Sequence, residues 1–208
     1  MSAPRATRQA EKPLQHTNFQ PTFRRATEIV KDVEKGNLDL QPPYQRKSVW
    51  NEAQRIALIE SWLLGVPTGP IVLVDRCNGT WTSPDGRRPL YDEVDVAMWG
   101  CADGQQRITT AKAWFDGKFA VPASWFEKDL IETTEETDDG PYVRYTGLTQ
   151  VGQRRFDNIA SFQVAEDRTC AGIADEARTY LLINSAGTAQ TAADLENARR
   201  VADGEGSP

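Results

Sequence analysis

The chain has 208 residues, 39% of them apolar and 26% charged, with six tryptophans and a formal net charge of −6. That composition supports the core of one medium domain and excludes wholesale disorder, and the acidic balance argues against a protein that coats nucleic acid by bulk electrostatics. No run approaches the ~18–20 apolar residues of a membrane span, Met1–Gln15 lacks the apolar centre of an export signal, and Cys77, Cys101 and Cys170 are too scattered for a disulfide framework, which together point to a reducing cytoplasm.

Residues 1–20 mix Pro, Gln, Arg and Ala without periodicity and read as a flexible tail, as do residues 204–208. A helical pattern begins at Phe23, with Ala26, Ile29, Val30 and Val33 on one face and Gly36 as its stop. Residues 37–41 alternate leucine with polar side chains, a short strand ended by Pro42-Pro43. Asn51, with Gln54 three residues on, is a capping signal for a helix burying Ile56, Ile59, Leu63 and Leu64 and closing at Gly65. Ile71-Val72-Leu73-Val74 is a continuous apolar run of strand length. Asn78-Gly79 and Asp85-Gly86 are hairpin-type turn signals around a short strand at Trp81. A further strand is expected over residues 90–99.

The next helix turns Ile108, Ala111, Trp114 and Phe115 inward and ends near Gly117. Residues 129–142 are rich in acids and threonine and read as a solvated loop. Thr149 caps a helix through Phe156 and Ile159, and Phe162 and Val164 mark one more strand. A longer helix covers about 173–183, reaching the small polar turn Asn184-Ser185-Ala186-Gly187-Thr188. Thr191 caps a last helix carrying Leu195, Ala198 and Val201. His16, the single histidine, lies in the N-terminal tail, which argues against a zinc site or a His-based triad.

Chemistry concentrates at Ala102-Asp103-Gly104-Gln105-Gln106-Arg107-Ile108-Thr109-Thr110. Glycine permits close approach of a backbone to an anion, and the first N–H groups of a helix carry partial positive charge. Arg107 adds a forked donor suited to phosphate or carboxylate, and Asp103 is able to orient a water or hold a divalent cation. The competing reading is an ordinary surface turn with Asp103 as the helix cap and an ion pair to Arg107. The basic pairs at Arg24, Arg87, Arg154 and Arg199 read as solvated faces.

In chain order, Gln41-Pro42-Pro43-Tyr44-Gln45-Arg46, Val49-Trp50, Leu58-Ile59-Glu60-Ser61 with Gly65-Val66-Pro67, Asp103-Gly104-Gln105-Gln106-Arg107 and Ile183-Asn184-Ser185-Ala186-Gly187-Thr188 resemble the N-terminal domain of GmrSD-type, modification-dependent restriction systems. That domain is related to the ParB and sulfiredoxin fold, and the resemblance covers about residues 23–203. It implies an α+β domain with a small mixed sheet surrounded by helices, one nucleotide-binding domain over residues 21–203. It also implies binding and hydrolysis of a nucleoside triphosphate with a divalent cation such as magnesium, coupled to DNA restriction, phage defence or its counteraction. The chain stops soon after the last helix, and one histidine cannot furnish an HNH nuclease site, so DNA cutting is expected from a separate partner protein. Ala186 and Ala189-Gln190 depart from the second glycine and proline-leucine pair of relatives.

On this resemblance Asp103, Gln105, Gln106 and Arg107 form the catalytic set: Arg107 neutralises phosphate charge, Asp103 holds the metal or the attacking water, and either glutamine positions that water. Tyr44, Gln45, Arg46, Gly104, Thr109 and Asn184 are the nucleotide-binding candidates. Tyr44 is equally compatible with packing, Trp50 reads as core packing ahead of its helix, and Asn184 as either a ligand contact or a helix terminus. Two other functions fit the same residues: a non-catalytic module that senses nucleotide and binds protein or DNA, and kinase-like phosphoryl transfer to a small molecule or nucleobase.

Overall fold

The computed structural model describes residues 19–44, 50–89, 96–185, 200, 201 and 203. The α+β expectation holds. A five-stranded mixed sheet is built from β1 (Gln20–Arg25), β2 (Leu38–Asp39), β3 (Ile71–Asp75), β4 (Trp99–Asp103) and β8 (Ser161–Asp167), in the order β1-β8-β3-β4-β2. β1 runs antiparallel to β8, β8 parallel to β3, β3 antiparallel to β4 and β4 parallel to β2.

Around it lie α1 (Ala26–Glu34), α2 (Glu52–Leu64), α3 (Gln105–Phe115), α4 (Gln150–Ile159) and α5 (Ile173–Ser185). β3, in the middle of the sheet, is buried on both faces, which is why Ile71 to Val74 is unbroken apolar sequence rather than an alternating one. Ile71, Leu73, Cys101, Phe162 and Val164 face a core shared with Ile29, Ile59, Trp62, Ile108, Trp114 and Phe156 of α1 to α4. Val72, Val74 and Ala102 face the other way, towards Trp81, Cys170 and the half-buried Ile183 of α5. This is the period-two alternation of a pleated strand, with α1 to α4 receiving one set and α5 with the loops at Trp81 and Cys170 the other.

The chain differs from its sequence reading at five places. On α2 the buried residues are Leu58, Ile59 and Trp62, and Leu64, expected inside, is 70% exposed. Phe23 does not open a helix: it lies on β1, 77% exposed, and helical backbone starts at Ala26, whose N–H bonds to the O of Ala160, the residue just ahead of β8. The pairing of β1 with β8 overrides the local helical pattern. No strand runs at Trp81, where Thr82 makes one isolated bridge to Gly172 while the indole is buried. The strand expected over 90–99 begins only at Trp99; Val96 to Met98 are irregular, and 90–95 lie outside the described residues. Residues 129–142 are not a plain loop: β6 (Glu135–Thr137) and β7 (Gly140–Val143) pair as a hairpin and, with β5 (Val121–Pro122), form a small sheet ordered β5-β7-β6. Its acidic side chains are solvent-facing, while Val121 and Val143 join the main core. The last expected helix lies mostly outside the described residues; Arg200 and Val201 are helical and Val201 packs with Tyr44, Ala177 and Tyr180.

Among the described residues no helix is long and apolar enough to cross a membrane.

Candidate functional site

The turn from β4 into α3 is fixed from below. β4 carries an extra residue against β3, since Val72 pairs with Asp103 but Leu73 with Cys101, so Ala102 is bulged just before the motif. Gly104 follows at φ 98° as the helix cap residue, without any side-chain cap. A Cβ there would lie 2.4 Å from Ile71 Cγ2, so glycine is required by the left-handed backbone and by the packing of the turn onto β3. Asp103 is therefore not the helix cap. Its carboxylate, about a third exposed, is placed 2.7 Å from Arg107 Nη2 one turn along.

Arg107 has two tasks. Nη1 donates to Thr68 O at 2.8 Å and Gly69 O at 2.7 Å, clamping the loop that leads from α2 into β3. Gly69 sits at φ 76°, a left-handed backbone that favours glycine, and a Cβ there would press on that nitrogen at 3.1 Å. Of the five guanidinium N–H donors, three are engaged among the described residues, leaving Nε–H and one Nη2 hydrogen for a ligand oxygen. The side chain lines a cleft of about 530 Å³ with Trp50, Gln54, Ala57, Leu58, Ser61 and Thr68, a size within the range of small-molecule sites.

Gln106 ties the second wall. Its Oε1 accepts from the Trp50 backbone N–H at 3.0 Å, joining the start of α3 to the start of α2. Asn51 closes a reciprocal capping box with Gln54, each side chain accepting the other's backbone N–H, and Gly65 ends α2 in the left-handed conformation. Two helix N-termini thus meet beside one cleft, an arrangement that favours anionic ligands. Gln105 is half-buried at the first position of α3.

The remaining candidates divide. Gln45 and Arg46 lie outside the described residues. Thr109 is exposed and two residues beyond Arg107, which puts it on another side of α3, away from the cleft; Thr110 is buried. Asn184 donates to Tyr180 O at 2.8 Å, one turn back on α5, and does not line the cleft. Tyr44 is 1% exposed and its hydroxyl donates to Glu176 Oε2 at 3.0 Å, so it anchors the fold. Trp50 is half-buried, packing on the core with one side while lining the cleft.

Sequence reasoning missed the group that holds Tyr44. Glu176, fully buried, receives Arg76 Nε and Nη2 at 2.8 Å each, Trp81 Nε1 at 2.8 Å and the Tyr44 hydroxyl; Arg76 also reaches Asp39 at 3.2 Å. Burial, followed by the Glu176 charge, pushes the Tyr44 phenol well above its ordinary value. The Arg76 guanidinium is raised by its bonds and charge interaction with Glu176, against a burial effect that opposes them. Gly100 makes room for this pair, since a Cβ there would fall 2.8 Å from both Arg76 Nη2 and Glu176 Oε2. The signal was present: Glu176 falls on the apolar stripe Ile173, Ala177, Tyr180 of α5, where an acid needs a buried cation.

Among the described residues no three His, Cys, Asp or Glu side chains gather as a metal set. Asp103 belongs to no such set among the described residues, so a cation beside it would need its other oxygen ligands from elsewhere. A family model described as GmrSD restriction endonuclease, N-terminal domain, matches residues 26–200. No curated protein and no solved structure matches the chain.

Proposed function

The chain belongs to the GmrSD restriction endonuclease N-terminal domain family, which ties it to restriction systems, and from that premise we propose that it binds a nucleoside triphosphate in the Arg107 cleft and hydrolyses it with a divalent cation. The observation that carries this reading is Arg107 itself, held by Thr68, Gly69 and Asp103 yet with two N–H donors unengaged among the described residues, on the lining of a cleft flanked by two helix N-termini. Charge neutralisation and a positioned water are what phosphoryl transfer asks of a protein. Water oxygen bonds to the γ-phosphorus as the bridging oxygen to the β-phosphate leaves, giving a nucleoside diphosphate and phosphate. Arg107 stabilises the charge on the transferred group and Gln105 orients the water. Asp103, released in part from its ion pair when Arg107 turns to phosphate, takes the water's proton or the cation that accompanies the nucleotide. Gln106 holds Trp50 and so sets the wall of the cleft. In this reading the free energy of turnover is coupled to a restriction reaction on DNA carried out with a partner protein, in a cytoplasmic setting.

The test is thermal stabilisation by each of four ribonucleoside triphosphates with magnesium, then phosphate release on those that bind. Asp103→Ala and Arg107→Ala are each expected to lower turnover about a hundredfold or more. Because Arg107→Ala also frees the 68–69 loop, Arg107→Lys serves beside it, keeping charge while losing the fork. Full turnover in both alanine variants would refute the site.

The ion pair that holds Asp103 to Arg107 at 2.7 Å, and so away from a water or a cation, favours a second reading, a nucleotide sensor that does not turn over. Its mark is stabilisation by a triphosphate without phosphate release, since a ligand bound to the folded state alone raises stability. Phosphorylated product in place of free phosphate would mark a kinase-like transfer instead.

A further inference from the structure

The small β5-β7-β6 sheet carries a groove of about 700 Å³ away from the Arg107 cleft, floored by Phe126, Ile131 and Pro141. One wall is the segment Glu132-Thr133-Thr134-Glu135-Glu136. Glu132, Thr134 and Glu136 line the groove, every second residue of a stretch that runs into β6. Glu135, between them, turns away and pairs with Arg144. Glu132 and Glu136 are exposed and have no ion-pair partner among the described residues. Asp129 and Asp138, exposed nearby, have none either, and against these four Lys128 is the one cation lining the groove.

From an apolar floor beneath an unneutralised acidic wall, we infer that this groove docks an extended basic segment of a protein partner, an apolar side chain seated on Phe126, Ile131 and Pro141 between cations that face Glu132 and Glu136. Charge complementarity selects the occupant: an acidic or a wholly apolar segment leaves both carboxylates unmatched at the edge of the contact. Spacing agrees. Residues four apart on an extended chain are separated by about 13 Å on either side of the contact, so cations four positions apart meet both carboxylates with the apolar anchor midway. Among the described strands β6 lies at the edge of its sheet, beside which such a segment would run. The inference stands independently of nucleotide chemistry at Arg107.

The probe is a fluorescent seven-residue peptide with arginine at its second and sixth positions, leucine at its fourth and threonine elsewhere, titrated with the full chain and read by anisotropy. Two control peptides replace leucine by serine or both arginines by glutamate. Wild type is expected to bind the arginine–leucine peptide about tenfold more tightly than either control, and less tightly in high salt. Charge reversal by Glu132→Lys with Glu136→Lys should lose that peptide about tenfold and gain the glutamate one, at unchanged melting temperature; Glu132→Gln with Glu136→Gln should lose the first without gaining the second. Equal binding by the reversed variant, equal binding of the serine peptide, or no binding by wild type overturns the inference. So does sedimentation showing a wild-type dimer that the reversed variant abolishes, which would assign the groove to a second copy of the chain.

Discussion

Gly104→Ala isolates what the motif glycine does for the fold. The backbone there sits at φ 98°, a region costing a residue with a Cβ about 1–2 kcal/mol. The new methyl would also lie 2.4 Å from Ile71 Cγ2 and 2.8 Å from Ile71 Cβ, and Ile71 is fully buried in the sheet, so relief requires moving β3 or the turn. Overpacking of that kind costs about 1–3 kcal/mol, for a sum near 2–5 kcal/mol. Urea unfolding of wild type and variant measures it. Ile71 supplies the control. Ile71→Val keeps both clashing atoms and should leave the Gly104→Ala penalty unchanged, whereas Ile71→Ala removes Cγ2 and should shrink it by about 1 kcal/mol in a double-mutant cycle, although Ile71→Ala is itself costly. A Gly104→Ala protein within about 0.5 kcal/mol of wild type, well below the strain and overlap terms, would refute the steric reasoning.

Glu176→Gln should cost about 3–5 kcal/mol, because it strands the buried Arg76 and sets an amide N–H against one of four donors, while Tyr44→Phe, losing one bond, should cost about 1–3 kcal/mol; chemical denaturation ranks them, and a reversed order would refute the hub. The Tyr44 phenol and Cys170 thiol are both pushed up, chiefly by burial. A raised folded value means stability is whole below the unfolded values near 8.5 for cysteine and 10 for tyrosine, and falls as pH climbs past them, by up to about 1.4 kcal/mol per pH unit for each group. Tyr44→Phe should flatten the part of that alkaline fall above pH ~10, seen by denaturation at a series of pH values. Asn51→Ala should lower stability by about 1 kcal/mol through the lost capping box, read as a shift in the urea midpoint without a change in slope.

What could be read from sequence was local. The capping box at Asn51, the left-handed stop at Gly65, the Thr149 cap and the buried run at Ile71 are each set by chemistry within a few residues, and the structure has them where the pattern puts them. What could not be read was long-range. Phe23 belongs to a strand because β8, about 140 residues on, pairs with it. Residues 135–143 form a hairpin although threonine and acid signal solvent, because a strand exposed on one face needs little apolar sequence. The site shows the same division. The Asp103-Gly104-Gln105-Gln106-Arg107 turn is legible as a motif, yet that Arg107 would clamp the carbonyls of Thr68 and Gly69 depends on a loop 38 residues away.

Tyr44 and Trp50 bracket the segment that carries Gln45 and Arg46, and each is secured by a different part of the chain: Tyr44 to Glu176 of α5, Trp50 to Gln106 of the motif helix. Anything that moves the start of α3 therefore moves Trp50, while Tyr44 stays bonded to α5. A ligand drawing Arg107 away from Thr68 and Gly69 would loosen the entry to β3 while leaving the Gln106 bond to Trp50 intact, because the two side chains hold different loops. Gln106→Ala and Arg107→Lys should accordingly differ in kind. The first weakens ligand affinity by loosening the cleft wall, with the carbonyl carbon chemical shifts of Thr68 and Gly69 unchanged; the second moves both shifts even without ligand, because those carbonyls lose the Arg107 donor. Matching shift changes in the two variants would mean that the wall and the clamp act as one unit.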